Sequence, residues 1–245
     1  IKTLKAVGIA SRSSGWQRIS YRWRKGYIND LPWFLVLGPT GSGKTSLINE
    51  SGKRFLLSEQ YGFTQISDVG ATLDCSWWLT DRAVYIDTAG EWAQLHGQSE
   101  ESSRAQKKLF TLIRRYRRQP GIDGIILCLD GRWLMQASLT ERKSLADTLR
   151  VRMLEIADHF HQDLAVYLAI NQLDTLPGGA AFLSVVSEEI LQQGLGIQLV
   201  KNAYGQLDFA AAEEAFARLS MRISDYVQQR LQAEQSADVR RQLLF

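Results

Sequence analysis

The chain has 245 residues, 45% of them hydrophobic and 22% charged, with a formal net charge of +3 at pH 7. That suits one large α/β domain with a small appendage or helical extension. No apolar stretch is long enough to span a bilayer, and no secretion signal is visible. The charge is unevenly spread: residues 1–30 carry Lys2, Lys5, Arg12, Arg18, Arg22, Arg24 and Lys25 against the single acid Asp30. Such a segment suits an anionic lipid surface, a nucleic acid or plain solvation, and nothing in it has the form of a known nucleic-acid module. Ile1 stands where an initiator Met would, so a piece of a longer protein is expected. Cys75 and Cys128 fall in strand-like runs without metal-ligand spacing and read as core thiols.

In chain order, Gln17 to Tyr27 reads as a short amphipathic helix, and Trp33 to Leu37 as a buried strand. Gly38, Gly41, Gly43, Lys44 and Thr45 then complete GxxxxGK[ST], and TSLIN reads as the following helix. Glycines let backbone N–H groups turn inward around a polyphosphate, and a helix end adds oriented amides. Around them Ser42 and Ser46 complete the expected nucleotide loop, Lys44 reaches the β and γ phosphates, and the Thr45 hydroxyl ligates Mg²⁺. Ala71 to Trp78 and Ala83 to Asp87 are strand-like and, across the turn at Thr80–Asp81, pair as a hairpin. The second strand delivers Asp87 of DTAG to hold Mg²⁺ through water, with the Gly90 N–H sensing a γ-phosphate. Thr72 can close over the same ion, with Thr64 competing for that role. Glu91 is either a water-orienting group or a helix-start acid.

Gln98 to Arg118 has helical spacing, with Leu109, Leu112, Ile113 and Tyr116 on one side and Arg114, Arg115, Arg117 and Arg118 at the dipole-favoured end. Ile125 to Leu129 reads as a central strand and Leu139 to Phe160 as an amphipathic helix with Leu145, Leu149, Met153 and Ile156 as its stripe. Leu164 to Ile170 reads as another buried strand, Ala181 to Gln192 as a helix and Gly196 to Val200 as a sixth strand. Asp208 onward is helical, with Phe209, Phe216, Leu219, Ile223 and Val227 as a docking stripe. NQLD, Asn171 to Asp174, leaves the fifth strand: Asp174 can accept from guanine N1 and N2, Asn171 can brace the loop, and Gln172 can cover a base face. His96, His159 and His161 read as non-catalytic. In the pair Trp77–Trp78, one ring points inward, and the other is either a partner contact or packed beneath helices. The alternation predicts a doubly wound, mostly parallel six-stranded sheet of the P-loop GTPase type with a C-terminal helical extension.

With Leu31 to Phe55, Val69 to Gly90, Gly121 to Asp130 and Val166 to Asp174 in view, the chain resembles the cytoplasmic NTPase region of the IcmF/TssM family. That family is the large inner-membrane component of type VI secretion systems and of related type IVB systems. The resemblance implies a module on the cytoplasmic face of the inner membrane, anchored by segments outside this chain. Its implied layout is a basic membrane-proximal segment at 1–30, the NTPase domain at 31–207 and a helical extension at 208–245. Implied partners are other membrane-complex and baseplate proteins, with no nucleic acid expected. Gly38, Gly43, Lys44, Thr45, Asp87 and Gly90 would carry nucleotide and Mg²⁺, and Asn171 and Asp174 the base. Gln172 stands where the family commonly has Lys, and Glu91 where Arg is more frequent. The functional expectation is an Mg²⁺-dependent nucleoside triphosphatase preferring GTP over ATP. Its alternatives are a scaffold of the same fold that binds GTP or ATP without turnover, and a soluble RNA-linked GTPase.

Overall fold

The computed structural model describes residues 31–51, 55, 65–67, 75–94, 99–117, 121–187, 189–190 and 195–243. The expectations for residues 1–30, Thr64, Thr72 and His96 lie outside them. The chain divides into two units, Ile1–Gln172 and Leu173–Phe245.

The first unit is built on a six-stranded sheet in the order β2-β3-β4-β1-β5-β6. Its strands are β1 (Trp33–Leu37), β2 (Gln65–Ser67), β3 (Cys75–Leu79), β4 (Val84–Thr88), β5 (Gly124–Asp130) and β6 (Ala165–Asn171). β1 pairs in parallel with β4 and β5, and β5 with β6, whereas β2–β3 and β3–β4 are antiparallel. The sheet is therefore mixed, which corrects the expectation of a mostly parallel, doubly wound sheet of the P-loop GTPase type. The cause is local. The Thr80 hydroxyl donates to the Ala83 carbonyl and accepts from the Ala83 N–H, closing a turn too short for a parallel crossover. Gly196 to Val200 forms no strand, and the sixth member is Gln65–Ser67 at the opposite edge.

Apolar side chains on both faces explain why β1 is central. Leu35, Val36 and Leu37 are at most 1% exposed. Alternation sends Leu35 and Leu37 into one cluster with Ile86, Leu109 and Ile125, and Val36 into a second with Ile48 and Trp78. Both members of the tryptophan pair pack inside. Trp77 meets Trp33 edge-on at 5.5 Å, and Trp78 lies 5.6 Å from Phe55. The reading of packing beneath a covered sheet therefore holds over that of a partner contact. Both cysteines are buried.

Helix α1 (Lys44–Asn49) follows β1. α2 (Glu100–Tyr116) is capped by Ser99, whose side chain accepts from the Ser102 N–H. It buries Ala105, Leu109, Phe110 and Ile113, leaving Leu112 and Tyr116 exposed, so its stripe is rotated from the expected one. α3 (Gly131–Gln136) starts at the Asp130 cap, and α4 (Leu139–Phe160) at a reciprocal capping box between Ser138 and Glu141. Leu149 and Ile156 are buried, with Leu145 and Met153 packed against the same core. Arg117 lies under the sheet's lower end, where its guanidinium meets Asp123 at 2.5 Å and covers the Trp33 ring at 5.3 Å.

In the second unit, α5 (Gly179–Val185), α6 (Phe209–Ala233) and α7 (Ala237–Leu243) are the helices with defined bounds. The Tyr226 hydroxyl on α6 donates to the Val185 carbonyl at 2.8 Å, and its ring meets Phe182 edge-on. Phe209 and Phe216, expected to dock, are 72% and 65% exposed.

Candidate functional site

The expected loop does gather at the carboxyl end of β1, and most of its polar side chains are bonded within the chain. The buried Ser42 hydroxyl and Asp87 Oδ1 have no partner among the described residues. Gly43 holds a left-handed conformation ahead of α1. Lys44, 8% exposed, donates its ammonium to the Gly38 carbonyl at 2.9 Å and the Pro39 carbonyl at 3.0 Å. The Thr45 hydroxyl donates to Asp87 Oδ2 at 2.6 Å, joining α1 to the end of β4. Asn171 Nδ2 donates to the Ser42 carbonyl at 2.8 Å, and Gln172 Nε2 to the Gly41 carbonyl at 2.6 Å. Close packing locks the rest: a Cβ on Gly90 would stand 2.4 Å from the Thr40 nitrogen, and one on Gly38 2.3 Å from the Cys128 carbonyl oxygen. Ser46 is exposed on α1, and its carbonyl accepts from the Glu50 N–H. Glu91 sits in the first turn of the 3₁₀ segment Gly90–Ala93, beside the buried Trp92. Asp174 lies in the 3₁₀ segment Leu173–Thr175 of the second unit.

Burial dominates the electrostatics. It lowers the Lys44 pKa, opposed by the attraction of Asp87, and raises that of Asp87, opposed by the Thr45 hydrogen bond and Lys44. The Cys128 thiol is pushed up to about 11 by burial, partly offset by a hydrogen bond with Asn171. His159 packs against Phe110 at 5.2 Å, and burial lowers its pKa.

This arrangement corrects the chemical expectations. Among the described residues no group of three or more His, Cys, Asp or Glu side chains is placed to hold a metal ion. A lone carboxylate already accepting from Thr45 is a poor donor set for a hard cation, which favours several oxygen ligands. Thr45 and Asp87 as Mg²⁺ ligands are therefore withdrawn. With them go the Mg²⁺-dependent GTPase or ATPase reading, hydrolase activity, GTP or ATP as cofactor, and the nucleotide-binding scaffold. The same bonds occupy the ammonium assigned to phosphate, and the six-residue α1 offers few aligned peptide dipoles. The antiparallel β2–β3 and β3–β4 pairs add that the sheet is not the mostly parallel one expected.

Sequence reasoning missed Arg117, placed with its neighbours at the dipole-favoured helix end. Its side chain is buried and also donates to the Leu31 carbonyl at 3.3 Å, while Asp123 accepts from the Trp33 N–H at 2.6 Å. The available signal was the acid six residues downstream, Asp123. It missed as well a cleft of about 520 Å³ between the loop and α4.

Fold and site together define a mixed-sheet α/β module with a self-bonded crown. The IcmF-related N-terminal domain model matches residues 99–245, and the chain belongs to that family. A curated relative, the type VI secretion system component TssM1 of Pseudomonas aeruginosa strain PAO1, is 31% identical over 220 residues. That match covers 88% of this chain and 20% of the relative, so the chain spans about a fifth of that protein's length. Among the described residues no helix is long and apolar enough to cross a membrane.

Proposed function

We propose that the chain is a non-enzymatic docking module of a larger type VI secretion-system component. It sits at the cytoplasmic face of the bacterial inner membrane, anchored by segments outside this chain, with the basic residues 1–30 beside the lipid. Its partners are other membrane-complex and baseplate proteins. The observation that carries this reading is β6. As the last strand of the sheet it presents Val166, Tyr167, Leu168 and Ile170, between 46% and 59% exposed, beside a backbone edge that no other strand among the described residues pairs with. A long apolar edge strand is a template for another chain and a liability if left uncovered. Membership of the IcmF-related family and the likeness to TssM1 supply the setting.

The test is a photo-crosslinking amino acid at Tyr167 of the full-length protein, in cells with a working secretion system. The reading expects an adduct with another secretion-system protein and none from an exposed polar site such as Lys108 on α2. No adduct from Tyr167 in assembled complexes contradicts it.

A further inference from the structure

The cleft beside the loop is walled by Pro39, Thr40 and Ser42 on one side and by α3 and α4 on the other. Among the described residues, the charged side chains lining it are Asp130 and Glu141, both acidic. Each carboxylate is oriented by a helix start. Asp130 Oδ1 accepts from the Arg132 and Trp133 N–H groups, and Glu141 Oε2 from the Ser138 N–H and hydroxyl. Neither enters an ion pair among the described residues, and each keeps a second oxygen for a ligand. The Ser138 hydrogen bonds lower the Glu141 pKa, favouring its charged form.

A second observation is independent of the acids. Ser42 lines the same cleft, is 2% exposed, and its hydroxyl has no hydrogen-bond partner among the described residues. A buried polar atom of this kind is costly unless a ligand or water satisfies it. Trp133, 37% exposed on the rim, adds an aromatic face that attracts cations. The Lys44 ammonium, on the same loop, is held by the Gly38 and Pro39 carbonyls. At the rim, Arg152 of α4 already donates to the Gln94 carbonyl and pairs with Glu155, so this chain's own base there is engaged.

The geometry points to a cation-binding site that takes an arginine side chain of a protein partner, with Asp130 and Glu141 facing its guanidinium, Ser42 accepting from it, and Trp133 against its plane. Arginine fits better than lysine, because its planar fork can reach two carboxylates and stack at once. The volume admits the side chain together with flanking peptide. The inference rests on the docking reading only in taking the cation from a protein. Loss of this site leaves the Tyr167 crosslink in place, so the two fail separately.

Calorimetric titration of the full chain with acetyl-Gly-Arg-Gly-amide and its citrulline counterpart tests it. The arginine peptide is expected to bind at least fivefold more tightly than the neutral isostere. Glu141→Gln and Asp130→Asn, which keep both helix caps, are each expected to weaken it at least threefold. Equal binding of the two peptides, no saturable binding, or full binding by the Asp130→Asn/Glu141→Gln double variant overturns the site. Tighter binding of free agmatine than of the peptide overturns the protein source of the cation.

Discussion

The crown above β1 and the edge at β6 are built from opposite materials. At the crown, polar side chains are turned inward and bonded: Lys44 to two carbonyls, Thr45 to Asp87, Asn171 to the Ser42 carbonyl. At β6, apolar side chains are turned outward, with Tyr167 and Leu168 more than half exposed. A buried polar group bonded within the chain fixes structure, whereas an exposed apolar one gains free energy only when something covers it. The two regions therefore respond to mutation in opposite ways, the first in stability and the second in association.

The largest stability effect is expected at the sheet's lower end. Arg117→Ala removes a buried guanidinium and leaves Asp123 facing only the Trp33 N–H, a loss of about 3 kcal/mol in urea unfolding. Asp123 is partly exposed, which sets the figure at the low end for a broken buried pair. A loss below about 1 kcal/mol would show that Arg117 is not the fastening it resembles. Within the crown, Gly90→Ala drives a Cβ onto the Thr40 backbone and is expected to cost about 2 kcal/mol, read as a lowered Tm. An unchanged melt would mean the Gly90–Thr40 approach is loose.

Next is a pH effect at Cys128. Its folded pKa of about 11 lies above the ordinary thiol value, so the folded state keeps a proton that the unfolded chain has lost. Stability is fully present below pH 9 and falls as pH rises toward 11, by roughly 2 kcal/mol. Lys44, with a lowered pKa, works in the opposite direction just below its ordinary value, so the comparison is between the native chain and Cys128→Ala. The native protein should lose more stability across that range, and parallel curves would refute the burial argument. The smallest stability effect belongs to β6, where Tyr167→Lys should stay within about 0.5 kcal/mol because the ring is already 55% exposed.

The same contrast explains what could be read in the chain. β1 and the turn into α1 were legible because a short apolar run, glycines at fixed offsets and a helix start agree locally. The β3–β4 hairpin was legible for the same reason, its turn being four residues of sequence. β6 was read as buried because an apolar run looks alike in a central and in an edge strand, and nothing within the run tells them apart. Lys44, Thr45 and Asp87 were legible as a group that meets, but not in their mutual bonding, which depends on distances that spacing does not contain. Arg117 was missed because an arginine at a helix end is usually solvated, and its pairing with Asp123 and packing over Trp33 appear only in the fold.

The central claim is that the chain works through its uncovered sheet edge. The most direct measurement is co-purification of the full-length protein carrying Tyr167→Lys with the secretion-system membrane complex, after its melting curve is shown to match the native one. The account predicts a stable protein that no longer enters the complex. Full incorporation of that variant would contradict it.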